Sequence, residues 1–211
     1  MLSLRLTQRQ WRIYLAVWLA ALAAIAGTIG GLTVVRLMHQ PSPPSLGGGM
    51  VMDPHSVPAS DFTLSDQSGR VLSLSDFRGH VVALTFLDTL CTNLCPLQAR
   101  MLGSTESDLG KQAPFSVVIV SVRPEADTPT TIAAFAQANG LGGPYAWLTG
   151  TRPQLSSVWD SYGVGVQVAS GDLEHSSVIY LIDRRGFERV AFLDVPETSF
   201  FETDIRILET S

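Results

Sequence analysis

Residues 81–96 read VVALTFLDTLCTNLCP. The first seven are apolar apart from one threonine and rich in β-branched side chains, as expected of a strand covered on both faces. A short turn follows, and residues 95–110 then have helical character up to a glycine at position 110. A buried strand that turns directly into a helix is the building step of an α/β sheet. Both cysteines of the 211-residue chain stand at this junction, Cys91 in the turn and Cys95 in the first helical turn or close to it. An i,i+4 spacing brings side chains onto one helix face, with β-carbons about 5–6 Å apart. Unpaired N–H groups and the helix dipole at such a terminus favour thiolate over thiol. The pair therefore reads as reactive sulfur.

Three chemistries use two thiols held this way. A structural disulfide would close so small a loop that it constrains the unfolded chain little. Thiol–disulfide exchange normally uses two intervening residues, and here there are three. A soft metal ion is the third: two thiolates suit Cu(I), and an imidazole completes an S₂N set. The chain offers His39, His55, His80 and His175. His39 and His55 fall in a Pro/Gly/Ser-rich stretch, where Met50 and Met52 also lie. His80 precedes the first buried strand, at the sheet end away from the cysteines. His175 stands in GDLEHSSVIYLID, just before a strand. The cysteines follow their strand, and a loop entering an antiparallel strand arrives at that same end. The topology thus allows His175 to face Cys91 and Cys95, although a lone loop histidine is more often solvated than a ligand.

Outward from this centre, DFTLSDQSGRVLSLSDFRG (61–79) holds two alternating stretches around a turn, a hairpin signal. FSVVIVSV (115–122) is a second buried strand. A helix is expected after Asp127 or Thr128, with Pro129 in its first turn and Gly140 as its stop, and another over TRPQLSSVWDSYG. Residues 177–183 and 188–193 read as a strand pair, and 197–209 as a final helix. The expected class is α/β, a central mixed sheet flanked by helices with an N-terminal hairpin extension.

Further upstream, residues 13–35 carry no charge. As a helix they extend roughly 35 Å, enough for a bilayer core of about 30 Å. The apolar core of a cleaved signal peptide is shorter, about 7–15 residues. Arg5, Arg9 and Arg12 precede the run and only Arg36 follows it closely, so the positive-inside tendency sends the rest of the chain outside. The organisation expected is a cytoplasmic tail (1–12), a transmembrane anchor (13–35), a tether (36–60) and a globular domain (61–211), in a single-pass bacterial-type cell membrane protein. Setting the four arginines of residues 1–36 aside from 14 basic and 19 acidic residues leaves 10 and 19, a net charge of −9 beyond the anchor. So acidic a domain, without a basic patch, is a poor nucleic-acid binder. Outside the cytoplasm thiols tend to oxidise, which suits a working pair or a disulfide.

From about Asp61 to Leu208 the chain resembles the Sco/SenC copper proteins, thioredoxin-fold domains on a single membrane anchor. The resemblance is carried by residues 61–86, by Cys91-x-x-x-Cys95-Pro96, and by SVRPEADTP (121–129). WLTG (147–150), YGV (162–164) and HSSVIYLIDRRG (175–186) continue it in order. It implies copper ligation by Cys91, Cys95 and His175. It also implies a metallochaperone that delivers copper to, or prepares, the binuclear centre of a haem-copper cytochrome c oxidase. The partners implied are the oxidase's copper-receiving subunit and a thiol reductant protein. Thiol–disulfide oxidoreductase activity at Cys91 and Cys95, and copper or redox sensing, remain open beside it. Thr92-Asn93 stands where the family usually has Pro-Asp, Asp88 where an aromatic residue is common, and Arg123 where an acid is usual. Peroxiredoxins place threonine three residues before their cysteine and proline further upstream. Here Thr89 is two before Cys91, and Leu84 occupies the proline position. No proline lies between Pro153 and Pro196, so His175-Ser176 stands where thioredoxin-type enzymes carry a cis-proline.

Overall fold

The computed structural model describes residues 45–110, 114–169 and 172–211, together with 18–19, 21–22 and 24–27. The chain separates into two units, Met1–Pro43 and Pro44–Ser211. The expected tail, most of the expected anchor and the first part of the tether lie outside the described residues. Among those described, no helix is long and apolar enough to cross a membrane.

Among the described residues, the second unit holds ten strands, four α-helices and one 3-10 helix (Leu74–Phe77). The strands are β1 (Met50–Val51), β2 (Thr63–Ser65), β3 (Val71–Ser73), β4 (Val81–Leu87), β5 (Phe115–Ser121), β6 (Tyr145–Leu148), β7 (Val166–Ala169), β8 (Asp172–His175), β9 (Ile179–Ile182) and β10 (Glu188–Phe192). The helices are α1 (Leu94–Leu109), α2 (Pro129–Ala138), α3 (Arg152–Ser161) and α4 (Thr198–Glu209). Six strands form one sheet in the order β1-β10-β9-β4-β5-β6. β4, β5 and β6 run parallel, while β9 and β10 are antiparallel to their neighbours.

β4 lies in the middle, which is why every one of its residues is buried. Its side chains alternate between the two faces. Val81, Ala83 and Leu87 pack beneath α1 and α4, with Leu102, Phe201 and Ile205. Val82, Leu84 and Phe86 face α3, with Leu155 and Trp159. Thr85 is the one polar residue of the strand. Helix boundaries follow local chemistry: Thr128 accepts a hydrogen bond from Thr131 N at 3.2 Å with Pro129 opening α2, and α1 stops at Gly110, whose φ is 52°.

Three elements differ from the sequence expectation. β6 lies between α2 and α3, where two consecutive helices are expected. His175 ends a small separate hairpin, β7–β8, with three residues between it and β9. Residues 45–60, tether by composition, follow the domain surface. Gly47 N donates to Asp204 Oδ1 at 2.9 Å, β1 pairs with β10, and Ala59 N donates to Gly186 O at 3.0 Å. Met50 and Met52 fall on or beside this edge, and His55 Nε2 lies 2.8 Å from Arg185 Nη1. These residues do not gather into one site.

Candidate metal centre

β4 ends at Leu87, and residues 88–93 make the turn into α1. Asp88 organises that turn. Its carbonyl accepts from Cys91 N at 3.3 Å, and its carboxylate accepts from Leu90 N at 2.7 Å. Cys91 is thereby held half-buried on the turn, while Cys95, in the first turn of α1, is 1% exposed. The two thiols are not joined in a disulfide.

His175 reaches them from β8. Its Nε2 lies 3.5 Å from Cys95 Sγ, and its Nδ1 lies 3.0 Å from Ser176 O. A carbonyl oxygen only accepts, so Nδ1 carries a proton and Nε2 is the nitrogen turned toward sulfur. His80 is exposed at the start of β4, at the other end of the sheet. Among the described histidines, only His175 meets the cysteines.

The two sulfurs are electrically unlike. A hydrogen bond from Cys95 lowers the Cys91 thiol to about 4, against burial, with help from His175 and from the N–H groups of Asn93 and Cys95. Cys95 is pushed up by the same contact, then by burial and by the charge on Cys91. The pair therefore titrates as a unit holding one proton, thiolate at Cys91 and thiol at Cys95.

Two thiols and an imidazole are a donor set for a soft ion. Bonds of about 2.3 Å to sulfur and about 2.0 Å to nitrogen, at angles of about 110–120°, separate the two donors by roughly 3.5–3.7 Å. The Cys95–His175 spacing matches. The arrangement is not a closed cage: among the described residues no three His, Cys, Asp or Glu side chains already surround a point as metal ligands do. Cys91, half-buried on its turn, is the donor with room to close the set. The three residues face a cleft of about 320 Å³, walled also by Leu94, Gln98 and Leu173. A larger cavity, about 690 Å³, lies between α1 and the loop before β6 and carries Glu106 but no thiol or imidazole.

The family profile described as SCO1/SenC covers residues 52–200. The chain belongs to the SCO1/SenC family. It is 25% identical over 183 residues to a SCO2-like protein of Rickettsia prowazekii, spanning 82% of this chain and 88% of the relative. The ScoI protein of Bradyrhizobium japonicum, solved with copper bound, is similar with a TM-score of 0.63 and 25% identity, covering 72% of this chain and 99% of that one. A putative peroxiredoxin of Mycobacterium tuberculosis is 31% identical over 105 residues, half of this chain and 62% of that protein. Leu84 stands where the peroxiredoxin cysteine pattern has proline, and Thr89 is one position off its threonine, so this chain lacks that pattern.

Two features of the site are absent from the sequence reading. Gln98, buried one turn after Cys95, hydrogen-bonds toward the His175 strand entry, and Asp88 is paired with Arg123. Neither has a linear motif; both depend on contacts between elements.

Proposed function

We propose that this protein is a copper metallochaperone of the cell membrane that loads, or prepares, the binuclear copper centre of a haem-copper cytochrome c oxidase. Cys91, Cys95 and His175 are its copper ligands. The observation that carries the reading is the meeting of both thiols and one imidazole at a single cleft, with Cys95 Sγ and His175 Nε2 3.5 Å apart. Copper is the cargo. Cys91 offers a thiolate without a prior base, and Cys95 must give up its proton on loading, so uptake releases protons and weakens in acid. His175 supplies the harder donor that makes Cu(II) tolerable beside Cu(I). Exposed Leu90, Leu94 and Leu97 around the turn give the copper-receiving oxidase subunit an apolar surface to rest on while its ligands exchange for these. Residues 13–35 anchor the chain, the domain stands outside the cytoplasm, and a thiol reductant protein keeps the pair reduced.

Titration of the reduced, anaerobic full chain with Cu(I) against a chelator tests this. One equivalent per chain is expected, with retention lost in Cys91→Ser and Cys95→Ser and weakened in His175→Ala. Binding well below one equivalent, or tight binding indifferent to all three changes, would sink the reading.

A second reading rests on the unequal sulfurs. A low-lying Cys91 thiolate beside a protonated Cys95 is the arrangement of a thiol–disulfide reductant, which would act on the acceptor's cysteines. His175→Ala separates the two: a reductase keeps most of its exchange rate, whereas a chaperone loses copper retention. A sensor would instead couple Cys91–Cys95 oxidation to partner binding with no copper handed on.

A further inference from the structure

Cys95 and His175 are 80 residues apart and belong to different elements, so something other than local chain must hold them together. From His175 the chain passes through Ser176 and Ser177 into Val178 and β9. The outer side of this strand entry is tied to residue 165: Ser176 N donates to Gly165 O at 3.0 Å, and Gly165 N donates to Ser176 Oγ at 3.1 Å. The inner side is tied to α1. Gln98, 1% exposed, donates from Nε2 to Ser177 Oγ at 2.9 Å. The other end of its amide lies 3.4 Å from Thr85 Oγ1, and Thr85 donates to Val178 O at 2.8 Å. A hydroxyl has one proton, so the shorter contact to Val178 is the strong one.

A buried amide is an unexpected choice here. Left unpaired it is costly, and an aliphatic side chain would fill the same space without that risk. Gln98 also lies three residues after Cys95, a spacing that puts both on one face of α1. Its hydrogen bond therefore links the sulfur-bearing face of the helix to the residue two places after His175. Thr85 joins the same point to the central strand.

We propose that Gln98 is a positioning residue: through Ser177 it sets the approach of the His175 ring to the cysteine pair. This rests on the ligand reading above but is testable without metal. In the reduced, metal-free chain at about pH 8.5, where an ordinary imidazole is neutral, the ¹⁵N shifts of the His175 ring should report one tautomer, protonated at Nδ1. Gln98→Met keeps the volume and removes the hydrogen bonds. It should move those shifts toward the tautomer average of an unheld imidazole. Ser177→Ala should do the same, and Ser177→Thr, which keeps the hydroxyl, should restore the native shifts.

The second arm is a double-mutant cycle on Cu(I) affinity. His175→Ala should weaken binding about tenfold or more in the parent, and less than about threefold in Gln98→Met, where the ring is no longer aimed. Unchanged ring shifts in both Gln98→Met and Ser177→Ala, or an equal cost of His175→Ala in both backgrounds, overturns the proposal. If Gln98→Met does not fold, the Ser177→Ala and Ser177→Thr pair carries the test. If the parent takes up no Cu(I), the copper reading fails and the ring shifts alone decide Gln98's role.

Discussion

Arg123 Nε lies 2.9 Å from Asp88 Oδ2, joining the chain beyond β5 to the chain beyond β4 directly beneath the cysteine turn. Asp88 is 1% exposed. Each residue taken singly is a departure from the family's usual pattern, where position 88 is commonly aromatic and position 123 acidic. Together they are one unit: a buried carboxylate and the guanidinium that neutralises it. Removing one partner of such a pair leaves a buried charge, which costs about 3–5 kcal/mol, whereas replacing both with apolar groups is often near neutral. Arg123→Met should therefore lower stability by about 3 kcal/mol in urea unfolding, and adding Asp88→Leu should recover part of it, less the hydrogen bond that the carboxylate accepts from Leu90 N. Additive losses would show that the two charges act independently.

The thiol asymmetry predicts which sulfur reacts. With Cys91 lowered to about 4 and Cys95 raised, alkylation by iodoacetamide should fall almost wholly on Cys91. Its rate should stay level as pH drops from 7 and decline only as pH passes through about 4. Mass spectrometry of the labelled peptides reads both effects, and equal labelling of the two cysteines would contradict the arrangement.

Two carboxylates predict opposite pH windows for stability. Burial raises Asp66, but hydrogen bonds from Ser68 and Arg70 overcome this and hold it at about 2. A carboxyl depressed in the folded state stabilises above its ordinary value near 4, and that contribution is lost as pH falls through about 2. Asp66→Asn should thus be less stable than the parent at neutral pH and converge with it in acid.

Asp204 behaves the other way. Burial raises it to about 6, against the hydrogen bond from Gly47 N, and its Oδ2 has no hydrogen-bond partner among the described residues. A group raised in the folded state favours folding most below its unfolded value, and the benefit disappears as pH rises through about 6. The urea midpoint of the parent should fall between about pH 4 and 6 from this group. In Asp204→Asn that component should vanish, and a difference between the two proteins that is constant across the window would refute it.

The long elements were legible because burial on two faces leaves an unbroken apolar run. Residues 81–87 and 115–121 are such strands, and the helix over 129–138 announces itself through Thr128 and Pro129. β6 was not legible: four residues, YAWL, paired only with β5 on one side, lack the length that sets a strand apart. β7–β8 stands off the main sheet, so no core face imposes alternation on VQVA or DLEH. Residues 45–60 misled for the same reason, since Pro, Gly and Ser describe a tether and an edge segment equally well. In the site, Cys91 and Cys95 were legible as the chain's sole cysteines, while His175 needed the family resemblance to distinguish it from a solvated loop residue. Gln98, Asp88 and Arg123 act through partners from other elements, and spacing along the chain carries no trace of that.

Gly103 shows how a tertiary contact can reverse a local rule. In the middle of α1, glycine costs about 1 kcal/mol relative to alanine, so helix propensity says that Gly103→Ala should stabilise. A β-carbon at this position would clash with the Gly140 carbonyl oxygen and meet the Cα of Leu141 at 3.3 Å. Both are backbone atoms, which cannot swing aside as a flexible side chain could. Leu141 is 3% exposed and belongs to the core beneath α1, so the loop cannot retreat without opening that packing. Overpacking of this kind costs about 1–3 kcal/mol or more, and it outweighs the propensity gain. Gly103→Ala should therefore destabilise by about 2 kcal/mol in urea unfolding. It should also slow or weaken metal retention, because the same helix carries Cys95 two turns earlier. A stabilised variant would mean that the loop at Gly140 yields freely and that α1 is not fixed by this contact.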